Sequence, residues 1–210
     1  VLSGLMLGVG GMVSLSSENR FLGAFLFSLG LFCIVQFKYG LFTGKVGYIV
    51  NKDLPYVAET AVTLVGNALG TLIAALLLRQ VRFFTSTVST MDVTISDRVQ
   101  ATVNGKIHDN PLSIFILAIF CGILMFTAVE GSRKCKEEKN FTGSLFVVVM
   151  PVMVFIICGF NHCIADMFYY FFAGCPEPSK AIVYFILAIA GNSVGGMIVP
   201  LLKKLSNQPL

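Results

Sequence analysis

The chain has 210 residues, of which 56% are hydrophobic and 12% charged, with a formal net charge of +4. An average soluble domain carries about 25% charged residues, so too little polar surface remains here to cover a soluble fold or sustain disorder. So few charges also exclude a nucleic-acid partner; the composition is that of an integral membrane protein whose partner is the lipid bilayer.

A spanning helix needs about 20 apolar residues, and six uncharged or nearly uncharged stretches meet that need. The first, residues 1–17, opens on Val1 without a Met. We expect this span to begin part-way through the membrane, with a further N-terminal segment before it. No basic leader or small-residue cleavage site marks a signal peptide.

The second stretch runs from Phe21 to about Val50. As one helix it would be about 45 Å long, against a hydrocarbon core of ~30 Å. Its middle, Phe37-Lys38-Tyr39-Gly40-Leu41-Phe42-Thr43-Gly44-Lys45, predicts a break. The third stretch, residues 55–78, carries only Glu59. A linker at 81–110 follows, and then a fourth stretch at 111–129. The fifth, from Phe141 to Ala173, is again too long, and Gly159-Phe160-Asn161-His162-Cys163-Ile164-Ala165-Asp166 interrupts it. The sixth covers 181–202. Irregular backbone at membrane depth is tolerated only inside protein or along a cavity, and ionisable residues there are costly and functional. Two broken helices in matching places point to a transport path.

Arg133, Lys134, Lys136 and Lys139 lie in the loop after the fourth span, Lys203 and Lys204 end the sixth, and Lys52 follows the second. The positive-inside rule puts these on the cytoplasmic side, and both termini with them. Residues 18–20, 79–110 and 174–178 then face outward.

Six cysteines are present without a CxxC pair, so neither a disulfide framework nor a structural metal site is expected. No cofactor motif occurs. Val65-Gly66-Asn67-Ala68-Leu69-Gly70 in the third span matches Ala190-Gly191-Asn192-Ser193-Val194-Gly195 in the sixth. The expected fold is therefore an all-α membrane domain over residues 1–210. Six transmembrane helices form a 3+3 inverted repeat (roughly 1–80 and 111–204), with helices 2 and 5 broken. Gly-Asn itself reads as packing glue and a marker of symmetry. Asp166 is expected to cap the half-helix after the second break.

The segments Phe27-Ser28-Leu29-Gly30-Leu31 through Leu41-Phe42-Thr43-Gly44, and Gly159 through Phe168, together with the Gly-Asn-x-x-Gly pair, resemble the formate/nitrite transporter family over nearly the whole chain. The resemblance implies an aquaporin-like fold, a homopentamer in the plasma (inner) membrane and one pore per protomer for small monovalent anions. It places the central histidine at His162, the loop threonine at Thr43 and the lysine before the fourth span at Lys106. The hydrophobic constrictions fall on Leu31, Leu41, Phe42 and Phe155, with Phe27 beside them. Asn161 stands where many relatives have Glu, and Gly40 where an acidic residue often precedes Leu-Phe-Thr. The Asn-His-Cys variant resembles the family's hydrosulfide branch.

A bare anion cannot enter hydrocarbon, so the path must compensate its charge. Half-helix N-termini and Lys106 are expected to attract the anion, Thr43, Asn161 and His162 to donate hydrogen bonds, and Leu and Phe rings to shed water. His162 would make the flux pH-sensitive. A proton-coupled formate or nitrite carrier remains an alternative, as does a membrane-embedded enzyme built on Cys158, Cys163 and His162. A water or glycerol pore would use paired Asn-Pro-Ala motifs, which this sequence lacks.

Overall fold

A computed structural model describes residues 1–88 and 92–207. Apart from one two-stranded ribbon, its regular elements are helical. The chain runs α1 (Leu2–Ser16), α2 (Arg20–Gln36), the short α3 (Phe42–Lys45) leading into a 3-10 turn (Val46–Asn51), and α4 (Leu54–Arg79). A 3-10 turn (Arg82–Thr85) and the antiparallel pair β1 (Thr87–Val88) and β2 (Val93–Thr94) lead to α5 (Ile95–Ile107). Then come α6 (Pro111–Glu137), α7 (Phe141–Cys158), α8 (Cys163–Phe172) and α9 (Pro178–Leu205).

Among the described residues, α4, α6, α7 and α9 are long and apolar enough to cross a membrane, while α1, α2 and α8 are shorter apolar helices. Both expected breaks are present, between α2 and α3 and between α7 and α8. The linker is not plain coil. Thr94 caps α5 in a reciprocal capping box with Asp97, and Ile95, Val99, Val103 and Ile107 bury one face of that helix. Residues 89–91 of the linker lie outside the described residues.

α1 packs along α4, and α6 along α9. Glycine permits both crossings: a Cβ on Gly4 would strike the Asn67 carbonyl oxygen, and one on Gly122 the Asn192 carbonyl oxygen. The elements close around a continuous core of buried Phe, Leu, Ile and Val into which both breaks point their side chains.

Candidate functional site

The two breaks are built alike, residue for residue. α2 ends with Lys38 in the left-handed region (φ 56°) and Tyr39 N–H bonded back to the Ile34 carbonyl at 2.9 Å. α7 ends with Gly159 at φ 71° and Phe160 N–H bonded to the Phe155 carbonyl at 2.9 Å. Both are Schellman-type stops, which satisfy helix carbonyls left without partners. The next peptide is held by an asparagine. Asn67 on α4 donates to the Gly40 carbonyl (2.9 Å) and accepts from Phe42 N–H (2.9 Å). Asn192 on α9 donates to the Asn161 and Ala118 carbonyls (2.8 Å each) and accepts from Cys163 N–H (2.9 Å). Leu41 and His162 then occupy equivalent positions, each the N-cap of the helix that resumes the chain. The glycine-asparagine motifs are thus the clamps that shape both breaks, a role beyond packing glue.

Thr43 and His162 meet at the centre of the protein, with Oγ1 and Nε2 3.1 Å apart. Both side chains are buried. The imidazole Nδ1 accepts from Ala165 N–H at 3.1 Å and caps α8. A backbone N–H only donates, so Nδ1 is unprotonated, the ring proton sits on Nε2, and Thr43 Oγ1 accepts it. His162, not Asp166, is therefore the cap. Its two nitrogens are both engaged, neither by a thiol: Cys158 is exposed at the end of α7, and Cys163 turns its backbone to Asn192. Among the described residues no cluster of His, Cys, Asp and Glu could hold a metal ion.

Apolar groups wrap this contact. The Phe27 and Phe155 rings meet edge-to-face at 5.7 Å, and Phe155 lies 5.6 Å from the His162 ring. Leu31, Leu41 and Phe42 are also buried in this core.

Asn161 does not face an open path. Its Oδ1 accepts from Lys106 Nζ at 2.8 Å and its Nδ2 donates to the Ile114 carbonyl at 3.2 Å. Lys106 reaches across from α5 and also pairs with Asp166 (Nζ to Oδ1, 3.2 Å). Asp166 is thus an ion-pair partner in the first turn of α8, and Tyr184 of α9 donates a 2.6 Å hydrogen bond to it. No pattern in the sequence singles out Tyr184.

Two cavities are lined by residues adjoining the Thr43–His162 contact. One, of about 490 Å³, is lined by Lys38, Lys45, Arg133 and Lys136 with Leu41 and Gly44 of the first break. The other, of about 420 Å³, is lined by Arg20, Arg98 and Lys106 with Phe155, Phe160 and Asp166, and Glu18 also lines it. In the first cavity Arg133 and Lys136 come from a segment expected on the cytoplasmic side and Lys38 and Lys45 from the first break, while the cations of the second come from segments expected outside. At the first cavity Tyr48 donates to the buried Glu130 (2.6 Å), which Arg133 grips with two further bonds. Lys45 pairs with Glu59 at 2.5 Å.

The formate/nitrite transporter family model matches residues 1–204. The chain belongs to the formate/nitrite transporter family. It is 28% identical over 152 residues to the formate channel FocA of Haemophilus influenzae, covering 71% of this chain and 52% of that one. The match to FocA of Escherichia coli is 27% over 151 residues with the same coverage, so the chain spans about half the length of these relatives. An uncharacterized transporter of Bacillus subtilis, YrhG, is 29% identical over 87% of this chain and 69% of its own. The fold matches a solved ion channel of the family with a TM-score of 0.83 at 16% identity, over 99% of this chain and 88% of that one. It matches a pentameric formate channel with formate bound at 0.75 and 24% identity, over 98% and 93%.

Proposed function

We propose that this protein is a channel for small monovalent anions, with hydrosulfide its foremost substrate and formate and nitrite also permeating. One observation carries the reading. A neutral hydrogen-bonding contact, Thr43–His162, has next to it residues of two cavities that bear Lys and Arg: Leu41 and Gly44, beside Thr43, line one, and Phe155 and Ala165, beside His162, line the other. Cations gather anions at either mouth, the apolar ring strips water, and the Thr43 hydroxyl and His162 Nε2–H offer exchangeable donors between them. Leu31, Leu41, Phe42, Phe27 and Phe155 form the constriction, and Lys106, held from behind by Asn161, lies on the outer polar wall. Asn161 in place of a carboxylate adds no further negative charge beside Lys106.

The channel has six spans as a 3+3 inverted repeat in one domain, assembles as a homopentamer in the inner membrane, and keeps both termini cytoplasmic. It performs no catalysis: both nitrogens of His162 serve the architecture and no thiol is activated beside them. Flux of hydrosulfide, formate, nitrite and chloride into proteoliposomes across pH tests the reading. Saturable anion flux without an imposed proton gradient supports a channel. Strict dependence on that gradient identifies a carrier, and no anion flux overturns the proposal.

A further inference from the structure

Lys106 sits on the wall of the outer cavity, but its charge is not free. Its ammonium carries three N–H bonds and meets acceptors on three sides: Asn161 Oδ1 at 2.8 Å, the Asp166 carboxylate at 3.2 Å and the Phe160 carbonyl at 3.4 Å. The side chain is 20% exposed, whereas that of Asp166 is 5% exposed. Both residues line the cavity, with the ammonium the more exposed end of the pair and the carboxylate the more buried one. On the far side of the carboxylate, Tyr184 donates to Oδ2 at 2.6 Å from a fully packed position on α9. A carboxylate this close to an anion route repels what the route must attract, so its presence calls for a reason.

We propose that Asp166 and Tyr184 tune how long an anion stays at the outer end of the path. Asp166 cancels most of the Lys106 charge, and Tyr184 draws the carboxylate's negative charge toward α9 and away from the cavity. Conduction needs binding strong enough to admit an ion and weak enough to release it. An uncompensated ammonium beside a low-dielectric constriction fails the second condition, because charge attraction rises steeply as water is excluded. Asp166 supplies the weakening and Tyr184 limits it. Both are positioning residues that act through Lys106. The inference rests on the channel reading above and names what sets that channel's affinity.

The test measures formate and hydrosulfide flux against concentration for the reconstituted protein and its variants. Asp166→Asn keeps the shape and removes the charge. Its half-saturating concentration is expected to fall about tenfold, with a comparable fall in maximal flux. Tyr184→Phe removes one hydroxyl, lets the carboxylate bear harder on Lys106, and is expected to raise the half-saturating concentration about threefold. In a Lys106→Met background Asp166→Asn should have no further effect on half-saturation. A purely structural pair would lower maximal flux in both variants and leave half-saturation alone, and that result overturns the inference. So does a shift of the same sign in both variants, or an Asp166→Asn effect that survives Lys106→Met. If Asp166→Asn does not fold in detergent, the sign of the Tyr184→Phe shift decides. A wild type without saturable flux sinks the channel reading itself, and this inference with it; a conducting wild type with inert variants sinks only this inference.

Discussion

Asn67 and Asn192 perform the same task at opposite breaks: each side-chain amide bridges the carbonyl before a helix N-cap and the N–H after it. The bonds of Asn192, and that from Phe42 N–H to Asn67, are buried, while the Asn67–Gly40 bond is partly buried, so loss of either amide strands at least one backbone group away from water. Each stranded group costs about 1–3 kcal/mol.

Asn67→Leu and Asn192→Leu should therefore both lower the melting temperature in detergent. Asn192→Leu should cost more, because its Nδ2 serves two carbonyls where that of Asn67 serves one. Thermal unfolding of the two variants side by side checks the order, and equal losses would contradict it.

Lys38 holds a left-handed conformation that Gly159 holds at the matching position in the other break. A non-glycine residue there costs on the order of 1 kcal/mol. Lys38→Gly is expected to stabilise the protein by about that amount while removing one cation from the cavity beside the first break. Melting temperature should rise and anion flux at low concentration should fall. A lower melting temperature would contradict the strain.

Thr43→Val keeps the shape of the side chain and takes away the acceptor for His162 Nε2–H. Leaving that buried donor alone costs about 1–3 kcal/mol, so stability and flux should both drop. Thr43→Ser keeps the hydroxyl and should retain flux. Flux assays on both variants distinguish a hydroxyl requirement from a volume requirement.

His162 carries its proton on Nε2 because Nδ1 is occupied by the Ala165 N–H. Protonation at Nδ1 would set two N–H groups against each other and undo the cap of α8. Acidification should therefore reduce flux in the wild type, and His162→Phe should show a flat pH profile together with lower stability from the lost cap, about 1 kcal/mol. A His162→Phe variant that keeps the wild-type pH profile would remove the histidine from the pH response.

Much of this arrangement was legible in the sequence. Polar groups in an oily segment are costly enough that Thr43, Asn161 and His162 stand out, and both helix breaks follow from segments too long for the membrane. Partners brought together across the chain were not legible. Lys106 meets Asp166 only because α5 folds back over the break, and α5 hides in a polar stretch that reads as a linker. Asp166 one turn into α8 looks like a cap until His162 is seen to take that place. Tyr184 is one aromatic among many in an apolar helix, and only its 2.6 Å bond to Asp166 marks it.

α5 fastens the chain on both sides of it through main-chain oxygens. Arg98 donates to the Leu15 and Ser17 carbonyls, Gln100 to the Ala173 carbonyl at 2.6 Å, and Lys106 to the Phe160 carbonyl at 3.4 Å. A carbonyl is present whatever side chain its residue bears. In evolutionary terms the burden of fidelity falls on one side of each tie: the side chains at Leu15, Ser17, Phe160 and Ala173 can change without touching it, while Arg98, Gln100 and Lys106 must keep both length and donor.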